Sequence, residues 1–381
     1  MSNQIIKVTF ILGTRPEIIK TAPLIKQFIE EKFFKVRIIL TGQHKEMALD
    51  TLNIFGLNVD KNLSLMKENQ SLTHISIETL KGLEKEFTSH KPDLVIVQGD
   101  TTSAFIGALA AFYQNIDIAH VEAGLRTNDL MNPYPEEANR RLISQISTLH
   151  FAPTNLAAEN LNTFGISKNV FITGNTVIDA MKMLLEKKNN LPDFLDDIND
   201  KGKLILVTVH RRENWGENLH SIVNGIKLII EKYPDIKFII PMHKNKNIRE
   251  IIKSELGNYS EVILTEPLGY DQFVHVLNSV YLILTDSGGI QEEAPSFSKP
   301  VLVLRETTER KEALINGTAI LVGTKSHNIL NKVSDLINDE DYYNSMINKN
   351  NPFGDGNASK RIVETCKGYF SNKIANLSKT L

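Results

Sequence analysis

A single cysteine, Cys366, stands in the 381 residues of this chain. One thiol excludes an internal disulfide and any cysteine-rich metal site, and it suits a reducing cytosol. Charge of one sign is equally scarce, with 43 Lys and Arg against 45 Asp and Glu and a formal net charge of -2. Nucleic acid or another polyanion is therefore not expected as a partner. A locally basic pocket for phosphate stays open, because net charge says nothing about distribution. Long apolar runs are absent too. None reaches the roughly 18 residues that a transmembrane helix needs, so no membrane association is expected. The short run Val8–Leu12 lacks the basic flank, length and cleavage site of a signal peptide; a cytoplasmic protein is the expectation. The ten histidines contain no HExxH, no GxSxG elbow occurs, and Cys366 lies far from any motif. Metal and nucleophile chemistry are not expected.

What is present is an ordinary globular composition, 41% hydrophobic and 23% charged. The length exceeds one ordinary core and suggests two domains. Apolar strand-like runs alternate with helical patterns, the signature of parallel βαβ units and an α/β fold. The first half reads Lys7–Leu12, Val36–Leu40, Leu94–Val97, Ile118–Val121, Leu149–Ala152 and Val170–Ile172 as strands. The second half reads Leu204–Val209, Lys237–Ile240, Val262–Leu264, Tyr281–Leu284, Val301–Leu304 and Ile320–Val322. Amphipathic stretches such as Leu72–Phe87 and Leu219–Lys232 lie between them. The hinge is placed near Gly174, giving domains 1–174 and 175–356, with a final helix from 357 to 381 expected to cross back to the first.

The richest stretch is HVEAGLRTNDLMNPYPEEANRR, from His120 to Arg141. A strand ends at Glu122, Gly124 makes a turn, Arg126 follows, and Pro133 and Pro135 open a helix with Glu136 and Glu137 in its first turn. Carboxylates where a parallel strand gives out lie at the edge where α/β sheets bind ligands. Acids in a first helical turn are favoured on electrostatic grounds alone, and Glu137 reads that way; Glu122 reads as chemistry. Asp100, in QGDTTS after the third strand, is either a helix cap or a second carboxylate beside Glu122. The two end successive strands that should neighbour each other, and mutual repulsion would raise a pKa.

Three further strand ends carry positive charge or exposed backbone. Arg15, in Gly13-Thr14-Arg15-Pro16-Glu17, can face an anion at a helix start, and Lys20 follows one turn later. His210, in Val209-His210-Arg211-Arg212, suits a phosphate contact or proton donation to a departing oxygen; His243 is a lesser candidate. Ser287-Gly288-Gly289 ends a strand at a helix N-terminus and is the sharpest phosphate signal. Glu293 lies about one and a half turns on, placed to grip ribose hydroxyls, and Arg305 and Arg310 follow the next strand. This is neither GxGxxG nor a P-loop, which disfavours a dehydrogenase or an NTPase.

Taken together, these motifs resemble the non-hydrolysing UDP-N-acetylglucosamine 2-epimerases nearly end to end. The resemblance rests on GTRPEIIK at 13–20, TGQH at 41–44, GDTTS at 99–103, HVEAGLRT at 120–127 and PEEANRR at 135–141. GNTVIDA at 174–180, HRREN at 210–214, SGGIQEEAPS at 287–296 and TTER at 307–310 complete it. It implies two Rossmann-like domains in a GT-B-type arrangement with the active site in the interdomain cleft, and a homodimer. It also implies inversion at sugar C2 of a UDP-sugar without a cofactor, by elimination of UDP, formation of 2-acetamidoglucal and re-addition. By residue match, Asp100, Glu122 and Glu136 would be the acid/base carboxylates and His210 would assist the leaving diphosphate. Arg15 and Ser287 to Gly289 would hold phosphates, Glu293 the ribose, and Arg310 and Lys20 the sugar or phosphates.

Several positions depart from the family pattern. Lys311 replaces a proline, and Glu46 and Asn69 stand where allosterically regulated members carry Gln and Arg. A weakened site for an activating second UDP-sugar is the expectation, although Gln43 and His44 are retained. The hydrolysing relatives begin GTRAD, so GTRPE argues against hydrolysis. Competing readings are a 2-epimerase of a modified UDP-HexNAc, a GT-B-type glycosyltransferase, and a nucleotide-sugar sensor. The downstream pathway, whether glycan, teichoic acid or capsule, is not written in the sequence.

Overall fold

The apolar run Ile6–Leu12 forms the first strand, β1, buried at every position except Lys7. Such a run suits a strand covered by helices on both faces, where alternation of polar and apolar residues is lost. The computed structural model describes residues 5–42, 45–65, 70–127, 129–187, 193–196, 202–243 and 245–380. Within them β1 is followed by β2 (Phe34–Leu40), β3 (Lys61–Asn62), β4 (Leu94–Gln98), β5 (Asp117–Val121), β6 (Leu149–Ala152) and β7 (Val170–Ile172). These pair in parallel in the order β3-β2-β1-β4-β5-β6-β7. A second parallel sheet follows: β8 (Leu204–Thr208), β9 (Lys237–Pro241), β10 (Val262–Thr265), β11 (Leu282–Thr285), β12 (Val301–Val303) and β13 (Ala319–Leu321). Its order is β10-β9-β8-β11-β12-β13. Each sheet is doubly wound, and its order reverses once, between β1 and β4 in the first and between β8 and β11 in the second. Loops at the carboxyl ends of strands flanking such a switch point are where α/β sheets hold ligands.

Two compact units result, Met1–Met183 with Phe353–Leu381, and Leu184–Pro352. The division falls inside the helix Thr176–Leu185 rather than at Gly174. Gly174 marks something else, a turn at φ +88° where the backbone passes close to Gly354; a Cβ there would sit 3.2 Å from the Gly354 Cα. The last helix, Ala358–Thr380, packs on the first unit through Ile362, Val363, Cys366 and Phe370, all buried. Its start is capped from a distance. Asp179 accepts the N–H groups of Ala358 and Ser359 at 3.2 and 2.8 Å, satisfying orphan helix donors.

Each unit has its own core. In the first, Val95, Val97, Ile11 and Ile39 pack under the helices Thr102–Tyr113 and Leu72–Ser89. The helix Thr102–Tyr113 lies close on the sheet because it is rich in Ala and Gly; a Cβ at Gly107 would meet Ile11 at 2.9 Å. In the second, Phe238, Ile240, Leu282 and Leu302 form the centre with Ile226 and Ile329. No helix among the described residues is long and apolar enough to cross a membrane.

Candidate active site

In the first unit, the switch point brings three loops together at the ends of β1, β4 and β5. Thr14 caps the helix Arg15–Glu30, and Glu17 reaches back to it in a capping box. The carboxylate of Glu17 does more than cap. It accepts the N–H groups of Gly13 and Thr14 at 2.6 and 2.5 Å and the Thr101 hydroxyl at 2.5 Å. Burial pushes its carboxyl above the usual range, against the pull of those hydrogen bonds. The loop carrying Arg15 is thereby tied to the loop carrying Asp100. Arg15 itself is half-buried in the first helical turn.

Asp100 is not the cap of the next helix; Thr101 is, accepting the Ala104 N–H at 3.0 Å. The Asp100 carboxylate instead takes two hydrogen bonds from Arg140, from Nε at 3.0 Å and from Nη2. Asn139 donates to the Asp100 carbonyl at 2.9 Å. Glu122 ends β5, whose register with β4 pairs Gln98 with Val121. Its backbone is left-handed, φ +65°, a conformation that costs a residue with a side chain about 1–3 kcal/mol and clusters at functional sites. Its carboxylate pairs with Lys20 and accepts from Gln98 Nε2 and from Asn175 Nδ2, the latter at 3.3 Å. The repulsion expected between Asp100 and Glu122 is thus countered by a separate cation on each.

The two acids of the following helix, Glu136–Ile146, divide their roles. Glu137 is fully buried and accepts from Thr127 N–H, Arg141 Nε and Arg140 Nη1 at 2.9, 2.6 and 3.2 Å. It is structural. Glu136, in the first turn, is half-buried, and its side chain makes no hydrogen bond among the described residues. Arg126 is structural as well: it donates to Ser144 Oγ at 3.0 Å and lies over the Phe164 ring with Arg141. Burial lowers its pKa to about 10.

Behind Glu122 lie two buried histidines, register partners on β5 and β6, His120 and His150. His120 Nε2 donates to the Gly99 carbonyl at 2.7 Å. Burial depresses the two to about 3 and about 4 respectively, so both are neutral in the folded protein. In the unfolded chain they bind protons below about pH 6.5. The stability that neutrality lends is therefore present above that pH and is lost as pH falls toward 4, on the order of several kcal/mol for the pair. Urea midpoints from pH 7 to 4 should fall steeply, and should fall less in His150→Gln. An equal fall in the variant would show that other groups govern acid stability.

In the second unit the switch point lies between β8 and β11, which align Thr208 with Thr285. Asp286, fully buried, accepts the N–H groups of His210 and Arg211 at 3.0 and 2.9 Å and Asn214 Nδ2 at 3.0 Å. His210 Nδ1 faces the same carboxylate at 3.0 Å. Burial alone would raise Asp286, but His210 and the other donors outweigh it and hold the carboxyl below its ordinary value. An Asp on Nδ1 fixes the imidazole tautomer and leaves Nε2 to act outward. His243 stacks near His210, ring centroids 6.3 Å apart; burial, with His210 next to it, lowers its pKa. Both line a cavity of about 310 Å³ walled by Pro241, Met242, Pro267 and Leu268.

Ser287 stands at the N-cap position of the short helix Gly288–Glu293 without a side-chain capping bond, and the space a Gly288 side chain would fill is bounded by Arg310 Cζ at 3.4 Å and Arg211 Nη2 at 3.6 Å. Arg310 is itself held by Glu292 at 2.7 Å. A Cβ at Gly289 would lie 4.0 Å from Glu293 Oε1, which accepts the Tyr270 hydroxyl at 3.2 Å. Bare backbone beside two guanidiniums and a helix start is chemically suited to an anion. Arg305 does not join it; it is buried in ion pairs with Glu213 and Glu309 at 2.6 and 2.8 Å.

Arg15, Lys20, Asp100, Glu122 and Glu136 thus belong to the first unit, and His210, Ser287, Gly288, Gly289, Glu293 and Arg310 to the second. Gln43, His44 and Asn69, and the side chain of Glu46, lie outside the described residues. Arg140, Gln98, Asn175 and Asp286, which hold these side chains, were not singled out by sequence reasoning. Each sits in or beside a quoted motif, and that is the one signal that points to it.

Two Rossmann-like α/β units, one with carboxylates past its strand ends and one with a Ser-Gly-Gly loop beside two guanidiniums, are the frame of a nucleotide-sugar enzyme of the isomerase class. The chain belongs to the UDP-N-acetylglucosamine 2-epimerase family, whose model matches residues 26–367. It is 46% identical over 368 residues to the UDP-N-acetylglucosamine 2-epimerase of Campylobacter jejuni, covering 94% of this chain and 96% of that one. The Escherichia coli K12 enzyme of the same name is 45% identical over 381 residues, covering 97% and 100%. A crystal structure of UDP-GlcNAc 2-epimerase from Neisseria meningitidis bound to UDP-GlcNAc superposes with a TM-score of 0.87 at 46% identity, covering 95% of this chain and all of that one.

Proposed function

We propose that this enzyme interconverts UDP-GlcNAc and UDP-ManNAc by anti elimination and re-addition of UDP. The observation that carries the reading is the placement of Glu122 and Asp100 at the ends of adjacent strands, each oriented by its own cation. A carboxylate removes the C2 proton. The C–H electrons form the C1–C2 double bond of 2-acetamidoglucal, and the C1–O bond breaks with its electrons leaving on UDP. For return, a second acid delivers a proton to the opposite face of C2 while the UDP oxygen adds to C1. Electrons balance without a redox cofactor. Asp100, Glu122 and Glu136 are the acid/base set, since protons must be handled on two faces of one carbon.

In the second unit, Ser287-Gly288-Gly289 with Arg310 takes the diphosphate, Glu293 the ribose, and the His210 cavity the base. His210, oriented by Asp286, stabilises the departing diphosphate. Arg15 and Lys20 add positive charge for the phosphates or sugar. A homodimer acting in the cytosol is part of the same proposal, supported by the resemblance in motifs and by the lone cysteine. Incubation with UDP-GlcNAc alone should yield UDP-ManNAc by NMR. A transferase would leave the sugar unchanged without an acceptor, and a sensor would bind it and change nothing.

The phosphate assignment has its own test. Gly288→Val places a side chain between Arg310 and Arg211, where the diphosphate would approach. UDP affinity should fall at least ~10-fold, about 1.4 kcal/mol, while folding is little affected because the φ there is ordinary. Trp215, the one tryptophan, lies beside Arg212 just after His210, so its fluorescence is a convenient readout. Unchanged affinity in the folded variant would send the phosphates elsewhere.

A further inference from the structure

We propose that Gln98 and Asn175 are positioning residues that hold Glu122 as the ionised base in the resting enzyme. The inference rests on the reading of Glu122 as an acid/base group and adds which state it starts in and what sets that state.

The Glu122 side chain is 7% exposed, and donors to it among the described residues include Lys20, Gln98 Nε2 and Asn175 Nδ2. Donors to a carboxylate favour its charged form, as does a nearby ammonium. Both amide side chains have little freedom to do anything else. Gln98 is 3% exposed at the end of β4, with its neighbour fixed by the Gly99 N–H to Val121 carbonyl bond at 3.0 Å. Asn175, also 3% exposed, accepts the Val177 N–H on Oδ1 at 3.0 Å. That bond fixes the orientation of the amide, so the group facing Glu122 is the NH2, a donor only. The Asn175 N–H in turn donates to the Phe353 carbonyl at 2.6 Å. Its place is thus set by the capping of one helix and by the returning chain, not by Glu122.

The left-handed backbone of Glu122 points the same way. A conformation that is intrinsically costly persists where its surroundings over-determine it, and here the surroundings are donors aimed at the carboxylate. Asp100 differs, with a single arginine whose Nε and Nη2 both donate to one carboxylate oxygen, and the Glu136 side chain has no partner among the described residues. Of the three carboxylates, Glu122 is the one built to start without a proton. It therefore takes the C2 proton in the direction whose substrate presents that proton to it, and Asp100 or Glu136 serves the other face.

Two variants test this through the pH profile of kcat/KM, which reports groups of the free enzyme. Asn175→Asp keeps the oxygen that caps Val177 and replaces the donor with a second carboxylate beside Glu122. Gln98→Met removes a donor with little change of size. The acid limb should move up by at least about one pH unit in Asn175→Asp and by less in Gln98→Met. In both, the high-pH plateau should change less than the rate near neutral pH, and UDP titration by Trp215 fluorescence should be unaltered. An acid limb that stays in place in a folded Asn175→Asp protein overturns the inference. Glu122→Gln separates the two levels. If that variant turns over normally, the acid/base reading of Glu122 itself fails; if it is inactive while both limbs stay unmoved, only the positioning role fails.

Discussion

Glu122→Gln should lower turnover by at least ~100-fold, the usual scale for a lost acid/base group, while leaving UDP affinity and the fold intact. The amide keeps the shape and can still accept a hydrogen bond from Lys20, but it cannot carry the proton. Backbone strain at φ +65° is unchanged by the substitution, so stability should shift little. Asp100→Asn and Glu136→Gln should show losses of the same order. Asp100→Asn should also loosen Arg140, whose two bonds to that carboxylate anchor the helix Glu136–Ile146. Steady-state rates with UDP-GlcNAc, alongside thermal midpoints, decide the matter. Near-normal turnover in Glu122→Gln would remove the carboxylate at the end of β5 from the chemistry.

A comparable loss is expected at Asp286, a residue with no exposed surface. Asp286→Asn should cut turnover by at least ~100-fold, because the amide no longer selects the His210 tautomer that leaves Nε2 free to act. Stability should fall as well, by about 1–3 kcal/mol, since the N–H groups of His210 and Arg211 compete for the one acceptor that remains. The double variant with His210→Ala should be scarcely slower than His210→Ala alone, because residues acting as a unit are not additive. Additive losses would show that Asp286 acts through folding rather than through the histidine.

The sequence discloses the strands of this fold well because parallel sheets are buried on both faces and their strands read as apolar runs. Leu94–Val97 is plain for that reason, and the shorter Leu149–Ala152 shows more weakly. β3, Lys61–Asn62, is two polar residues at the sheet edge and leaves no such trace. The unit boundary escaped for a different reason. A glycine turn at Gly174 looks like a hinge, but Asp179 beyond it caps the last helix of the first unit, so packing carries the division further into the chain. The placement of the candidate residues was legible where they follow strand ends, as at Glu122, His210 and Ser287. Their holders were not. Arg140 lies 40 residues from Asp100 and Asn175 lies 53 from Glu122, and only the fold brings those side chains together. Charge pattern alone misled at Arg305, which the fold buries in ion pairs.

The most direct test of the mechanism is the fate of hydrogen at C2 when UDP-GlcNAc is turned over in deuterated buffer. Carboxylates that take a proton on one face and deliver one on the other exchange with water between the two events. Product UDP-ManNAc should therefore carry deuterium at C2, and free UDP with 2-acetamidoglucal should slowly accumulate as the intermediate escapes. Product that retains the substrate's C2 proton in full would contradict this account.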